Sequence, residues 1–169
     1  MEFDLNNILR TNIKNLVPYS SARDEFQGEA SVFLDANENS FGSPLDTPYN
    51  RYPDPLQYVV KKRLSEIKGV PPQNIFLGNG SDEAIDILFR AFCRPGIDNV
   101  ITLPPTYGMY EVSANINDVA VKKVPLTINY QLDLEGIAEA IDPNTKIIFI
   151  CSPNNPTANS LYREDIETV

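Results

Sequence analysis

The sequence predicts an α/β protein: three layers, α/β/α, around a mainly parallel sheet, preceded by an N-terminal arm. Three observations carry this. Short apolar runs alternate with amphipathic stretches from residue 75 onward. The runs are nearly continuous in apolar character, as strands buried on both faces are. Polar loops rich in Gly and Pro follow three of the four runs, and ligands of such sheets sit at the carboxyl ends of strands.

In chain order, residues 1–30 show little periodicity beyond a short helix near Asp4–Arg10, and Pro18-Tyr19-Ser20-Ser21 reads as a turn. Ser31–Leu34 reads as a short strand running into the polar cluster Asp35-Ala36-Asn37-Glu38-Asn39. Tyr49–Pro55 is a stiff lead-in. Asp54 then caps a helix whose first residue is Pro55, a favoured position for proline. Leu56, Val59, Val60, Leu64 and Ile67 form its buried face, and Gly69 ends it.

Ile75–Leu77 is the first strand of the alternating part and stops at Gly78-Asn79-Gly80. Ser81 is the expected N-cap of the next helix, with Asp82 and Glu83 in its first turn, where the helix dipole favours negative charge. Ala84, Ile85, Leu88, Ala91 and Phe92 give that helix its apolar stripe. Strands follow at Asn99–Leu103, Val119–Val124 and Lys146–Cys151. Thr106 is placed to cap a helix reaching about Ile116, Leu134–Ile141 is the next helix, and a last helix begins near Tyr162. The chain divides at Pro53: residues 1–53 form an arm and small-domain segment, and residues 54–169 part of a larger domain.

Composition narrows the function classes. The 169 residues are 42% hydrophobic and 22% charged, with net charge −9. An acidic chain argues against nucleic acid and anionic membranes, which need basic stripes. No apolar run approaches the ~20 residues of a membrane span, and the N-terminus has no signal-peptide pattern, so the expected location is the cytoplasm. Histidine is absent and the two cysteines, Cys93 and Cys151, lack metal spacing. Acid–base work must therefore come from Lys, Tyr, Asp or Glu, or from a cofactor.

The loops supply the chemistry. Gly78-Asn79-Gly80-Ser81 is a glycine turn at a helix start, where unpaired N–H groups can meet an anion. It is not a dinucleotide fingerprint, because Glu83 stands where the third glycine belongs. It is not a P-loop, because no Gly-Lys-Ser/Thr follows. A small phosphate site and a plain capped turn both remain open. Asn155, between Asn154 and Pro156, carries an amide suited to a phenolic or carbonyl oxygen, or simply forms a surface turn. Tyr107 can stack on a flat cofactor or pack in the core, and Tyr52 sits in a Pro-flanked segment with its hydroxyl free.

In this order and spacing, RYPDP (51–55), GNGSDEAID (78–86), PPTYGMY (104–110) and CSPNNPT (151–157) resemble the aspartate-aminotransferase-like, pyridoxal-phosphate-dependent enzymes of fold type I. PYSSARDEF (18–26) and DANEN (35–39) are most similar to the histidinol-phosphate aminotransferase branch. The resemblance implies roles. Ser81 and Asp82 would hold the phosphate of pyridoxal 5'-phosphate through backbone amides, with the Ser81 hydroxyl assisting. Tyr107 would stack on the cofactor ring and Asn155 would bond its phenolic oxygen. Tyr52 would serve the phosphate of the partner subunit in a homodimer. Tyr19, Asn37, Glu38 and Asn39 would lie near substrate.

The implied reaction is transamination between histidinol phosphate and 2-oxoglutarate, giving imidazole acetol phosphate and glutamate, in histidine biosynthesis. A related decarboxylase of amino-acid phosphates is the alternative within the fold, and a non-catalytic phosphate-binding fragment the alternative outside it. Two residues depart from the family pattern: Ser40 where proline is usual, and Ala158 where glycine is usual. Nothing in the sequence corresponds to the family's pyridine-nitrogen aspartate, Schiff-base lysine or later arginines. The 169-residue chain is therefore expected not to run a transamination cycle alone, and no metal is implied.

Overall fold

In a computed structural model, which describes residues 4–20, 31–32, 34–47 and 49–169, strand β1 (Asn99–Thr102) lies at the middle of a three-stranded sheet. It pairs in parallel with β2 (Ala120–Lys123) on one side and β3 (Thr145–Ile148) on the other. Asn99 stands opposite Ala120 and Thr102 opposite Lys123, while Val100 and Ile101 face Ile147 and Ile148. The middle strand is wholly buried, as its short apolar run predicts, and its residues alternate between two cores.

One core gathers Val100 with Ile85 and Phe89 of α3 (Gly80–Phe92), Tyr110 and Ala114 of α4 (Met109–Ile116), and Phe149. The other gathers Ile101 and Leu103 with Ile137 of α5 (Leu134–Ala140), and Ile166 of α6 (Arg163–Thr168) packs against it. Helices thus cover both faces, which is the expected three-layer α/β/α arrangement with a parallel sheet. In α3 the buried stripe is Ile85, Phe89 and then Cys93, rotated from the predicted one, and Leu88 is 40% exposed. Ala84, Ile87 and Leu88 widen the apolar arc of this helix, so its sequence does not single out the inward line.

Polar clamps hold the ends where the strands enter the sheet. The Asn99 side chain donates to Asp142 at 3.0 Å and accepts from the Thr145 hydroxyl at 2.8 Å. Lys122 donates to Asp142 at 2.8 Å and to the Ala140 carbonyl at 2.6 Å. Before β1, Arg94 grips the buried Asp98 carboxylate with two side-chain bonds, at 2.9 and 2.6 Å, and Asp98 also accepts from the Arg94 backbone N–H at 2.6 Å.

The chain divides into two compact units, Met1–Leu16 with Gly78–Val169, and Val17–Leu77. In the first, the arm forms a 3₁₀ turn at Leu5–Asn7, capped by Asp4, and the short α1 (Thr11–Lys14). It lies on α3: Arg10 donates from its backbone to Ala91 O at 3.0 Å and from its guanidinium to Arg90 O at 2.8 Å. Those are last-turn carbonyls with no partner inside their own helix.

The second unit departs from expectation in four ways. Its helix, α2 (Tyr58–Lys68), starts after Gln57, whose φ is +50°, and not at Pro55. The Asp54 carboxylate caps the turn just before it, accepting from the N–H groups of Leu56 at 2.9 Å and Tyr58 at 2.8 Å. The C-terminus is as predicted, with Gly69 left-handed at φ +67°. The expected apolar face is not buried: Val59 is 81%, Leu56 65% and Ile67 60% exposed. Ile75–Leu77 forms no strand, and neither do the described residues of Ser31–Leu34. Among the described residues neither segment has a neighbouring strand, and a lone extended run has no ladder to join.

Candidate functional site

The turn before α3 is built around Gly80, whose φ of +76° glycine adopts without strain. A side chain there would meet nothing within 4 Å, so the turn opens outward. Ser81 does not act as the side-chain cap. Asn79 precedes the helix, and the cap bond comes from Glu83, which turns back to accept from the Asn79 N–H and, at 3.2 Å, from its side-chain amide. The residue that spoils the dinucleotide fingerprint thus secures the turn. Ser81 is exposed, its hydroxyl bonds to no described residue, and the first-turn N–H groups of Ser81 and Asp82 have no acceptor within the helix.

The loop after β1 approaches this turn. The Tyr107 hydroxyl donates to Asp82 Oδ1 at 2.9 Å, and this bond, with burial, raises the phenol above its ordinary range. The Tyr107 ring meets the edge of Tyr110 at 5.7 Å and 86°. Tyr110 stacks on Phe149 at 4.5 Å and 15°, and Phe149 touches Phe89 at 5.4 Å, so the platform is buttressed by the core. Burial, followed by a hydrogen bond with Cys151, pushes Tyr110 up to about 12. Burial and the nearby Asp98 push the Cys93 thiol up to about 11, which leaves it protonated at neutral pH.

Thr106 caps no helix, since α4 begins at Met109 after Gly108. Its hydroxyl instead donates to Asn154 Oδ1 at 3.3 Å, drawing in the loop after β3. Asn154 is buried and donates to Pro105 O at 2.8 Å and to the Thr157 hydroxyl at 2.6 Å. Asn154 was not singled out from the sequence; the doubled asparagine gives no sign of which one points inward. Its neighbour Asn155 is exposed and its amide bonds to no described residue. Three loops far apart in sequence are therefore tied together through Asp82–Tyr107 and Thr106–Asn154.

Ala158, in the turn that carries Asn155, adopts φ +60°, the left-handed conformation that glycine favours. The turn is closed by Ala158 N to Asn154 O and Asn154 N to Asn159 O, both 2.8 Å. The other departure, Ser40, falls in an exposed turn where Asn39 Oδ1 accepts from the Phe41 N–H.

In the second unit, the Glu38 carboxylate accepts from the Arg51 guanidinium and the Tyr52 N–H, both at 2.7 Å. Asn39 holds its own turn, donating to Gly42 O at 2.9 Å, and its carbonyl accepts from the Asn50 side chain at 2.9 Å. Glu38, Asn39, Asn50, Arg51 and Tyr52 line a hollow of about 290 Å³ together with Asn37. Asn37 and the Tyr52 hydroxyl bond to no described residue, and Tyr19 is 91% exposed.

Among the described residues of the first unit, no lysine bonds to Ser81, Tyr107 or Asn155. Lys122 is held at the entry of β3 by Asp142, and Lys123 pairs with Glu111 at 2.8 Å. Lys146 lines a hollow with Arg10, Phe92, Arg94 and Asp98, at the end of β3 opposite Asn155.

The sequence model for aminotransferase class I and II matches residues 31–169. A histidinol-phosphate aminotransferase of Parabacteroides distasonis is 61% identical over 163 residues, covering 96% of this chain and 46% of that protein. Its counterpart in Cytophaga hutchinsonii is 57% identical over 169 residues, covering 100% and 49%. The chain thus spans about half the length of the curated relatives it matches. A solved structure of a Thermus thermophilus aspartate aminotransferase mutant superposes with a TM-score of 0.59 at 29% identity, covering 66% of this chain and 30% of that one. No helix among the described residues is long and apolar enough to cross a membrane. By its sequence match and its α/β/α layers with converging loops, the chain belongs to the class I and II aminotransferases, a family that works with pyridoxal 5'-phosphate.

Proposed function

We propose that this chain belongs to a cytoplasmic, homodimeric enzyme that moves an amino group between histidinol phosphate and 2-oxoglutarate. The observation that carries the reading is the tying of three loops around groups left free to bind: the Ser81 and Asp82 amides, the Ser81 hydroxyl, the Tyr107 ring and the Asn155 amide. The names of the relatives direct the choice of substrate.

Pyridoxal phosphate, when bound, supplies the electron sink for the transfer. The residues present fit it. Ser81 and Asp82 offer N–H groups, and Ser81 a hydroxyl, to the phosphate at the positive end of α3. Tyr107 offers an aromatic face, and Asn155 an amide donor for a ring oxygen. Tyr52, its backbone fixed by Glu38, has a hydroxyl free for the phosphate held by a partner subunit. Asn37 has a free amide for a substrate group, Tyr19 an exposed hydroxyl, and Glu38 and Asn39 shape the loop that carries Asn37. The large domain would run from residue 54, with residues 1–53 supplying arm and small-domain segment.

The test uses the protein carried to its relatives' full length, assayed with histidinol phosphate and 2-oxoglutarate. Amino transfer is expected, and Ser81→Ala should weaken cofactor binding by about 1.5–3 kcal/mol, the worth of a hydrogen bond to a charged group. No transfer, or unchanged cofactor affinity, would sink the reading. The 169-residue chain alone, mixed with pyridoxal phosphate and reduced with borohydride, should give no stoichiometrically labelled lysine.

A further inference from the structure

The Asp82 carboxylate presents a puzzle. It lies in the first turn of α3, beside the N–H groups that fit a phosphate, where a free negative charge would oppose the anion. Stabilising the helix dipole explains an acid at this position but not the direction in which it points. Its oxygen is turned to the Tyr107 hydroxyl, 2.9 Å away and 25 residues distant in sequence.

Tyr107 is thereby held at two places. Its hydroxyl is fixed by Asp82, and its ring by the edge contact with Tyr110, itself stacked on Phe149 in the core. A tyrosine has two side-chain torsions, and a bond at the hydroxyl together with a packing contact on the ring restricts both. Such a ring loses little further freedom when a ligand stacks on it, which is how preorganisation raises affinity.

Resting on the cofactor reading above, we propose that Asp82 is a positioning residue: its backbone N–H serves the phosphate while its carboxylate locks the Tyr107 ring as a stacking platform. The phosphate cup and the ring platform would then act as one unit. The raised phenol titration agrees, since a proton shared with a carboxylate is harder to remove.

The test is a double-mutant cycle in the full-length enzyme, reading cofactor affinity by absorbance titration and ring placement by circular dichroism of the bound cofactor band. Asp82→Ala and Tyr107→Phe should each weaken cofactor binding about tenfold, and the double variant should be no weaker than either. Asp82→Asn, which keeps an acceptor for the hydroxyl without the charge, should retain most of the affinity and the dichroic band. Tighter binding in Asp82→Ala would show the carboxylate to be only a repulsive charge, and additive losses would show two independent contacts; either overturns the proposal. Unchanged affinity in Tyr107→Ala would overturn the cofactor reading of this ring as well, an outcome distinct from the other two.

Discussion

Two helices of similar length behave differently. α3, of 13 residues, buries Ile85 and Phe89 and is followed by buried Cys93, whereas α2, of 11 residues, buries nothing. Both have apolar residues at helical spacing, and α2 stops at Gly69 as its sequence suggests. The difference is what lies against them. The first unit supplies α3 with a parallel sheet, an aromatic stack and α4; the second contains no strand among its described residues. An amphipathic stripe states that a face is fit for burial, and only another layer of the chain can bury it.

The largest effect should come from exploiting this contrast. Phe89, with no exposed surface, touches Phe149 at the centre of the first core. Phe89→Ala should cost about 3–5 kcal/mol in denaturant unfolding followed by circular dichroism. Val59→Ala on α2 should stay within about 0.5 kcal/mol, as a surface substitution does. Comparable losses would mean that the α2 face is covered in solution.

Next in size is the Arg94–Asp98 clamp. Asp98 is fully buried while Arg94 is half-exposed, so Asp98→Asn should cost about 1.5–3 kcal/mol, toward the lower end. The Arg94 hydrogen bond holds the Asp98 carboxyl below its usual range, and the Lys122 and Asn99 bonds do the same for Asp142. A carboxyl lowered on folding adds stability above its unfolded pKa of about 4 and loses it as the pH falls through the folded value. The first unit should therefore weaken progressively below about pH 4, with a shallower acid limb in Asp98→Asn. An acid limb unchanged by the substitution would remove Asp98 from that account.

What could be read from the sequence follows the same contrast. The strands after residue 98 were legible because each is a short apolar run bounded by turns; β1 and β2 fall inside the predicted limits to within a residue at each end, while β3 starts one residue early and ends three residues early. Local stops were legible where one residue decides the matter, as Gly69 does by ending α2 in the left-handed conformation at φ +67°. Ile75–Leu77 was misread because an apolar run shows readiness to pair but does not provide a partner. Ser81 and Thr106 were misread as caps because other side chains, the neighbouring Glu83 and the distant Asn154, engage those turns. In the candidate site, Tyr107 was singled out for its ring and Asn155 for its place before Pro156. The Asp82–Tyr107 and Thr106–Asn154 bonds were not, because no local pattern encodes a contact across 25 or 48 residues.

The smallest expected effect contrasts the units through the backbone alone. Ala158 in the first unit, at φ +60°, and Gln57 in the second, at φ +50°, are both non-glycine residues in the left-handed region. Holding such a residue there costs on the order of 1–3 kcal/mol, and it persists only where its surroundings over-determine it. Around Ala158 they do: two backbone bonds close the turn, and Asn154 anchors it to Pro105 and Thr157. Glycine removes that strain but loses more entropy on folding, by roughly 0.5–1 kcal/mol. Ala158→Gly should therefore stabilise by about 0.5–1 kcal/mol net, seen as a higher unfolding midpoint at unchanged slope. Gln57 is held mainly by its place at the start of α2, where the Lys61 N–H bonds its carbonyl at 3.0 Å. The first turn of an exposed helix can refold by a residue without disturbing a core, so Gln57→Gly should change stability by less than about 0.5 kcal/mol. A loss of stability in Ala158→Gly would mean that the Asn154–Asn159 turn does not hold the left-handed conformation in solution. The support assigned to Asn155 would then fail with it.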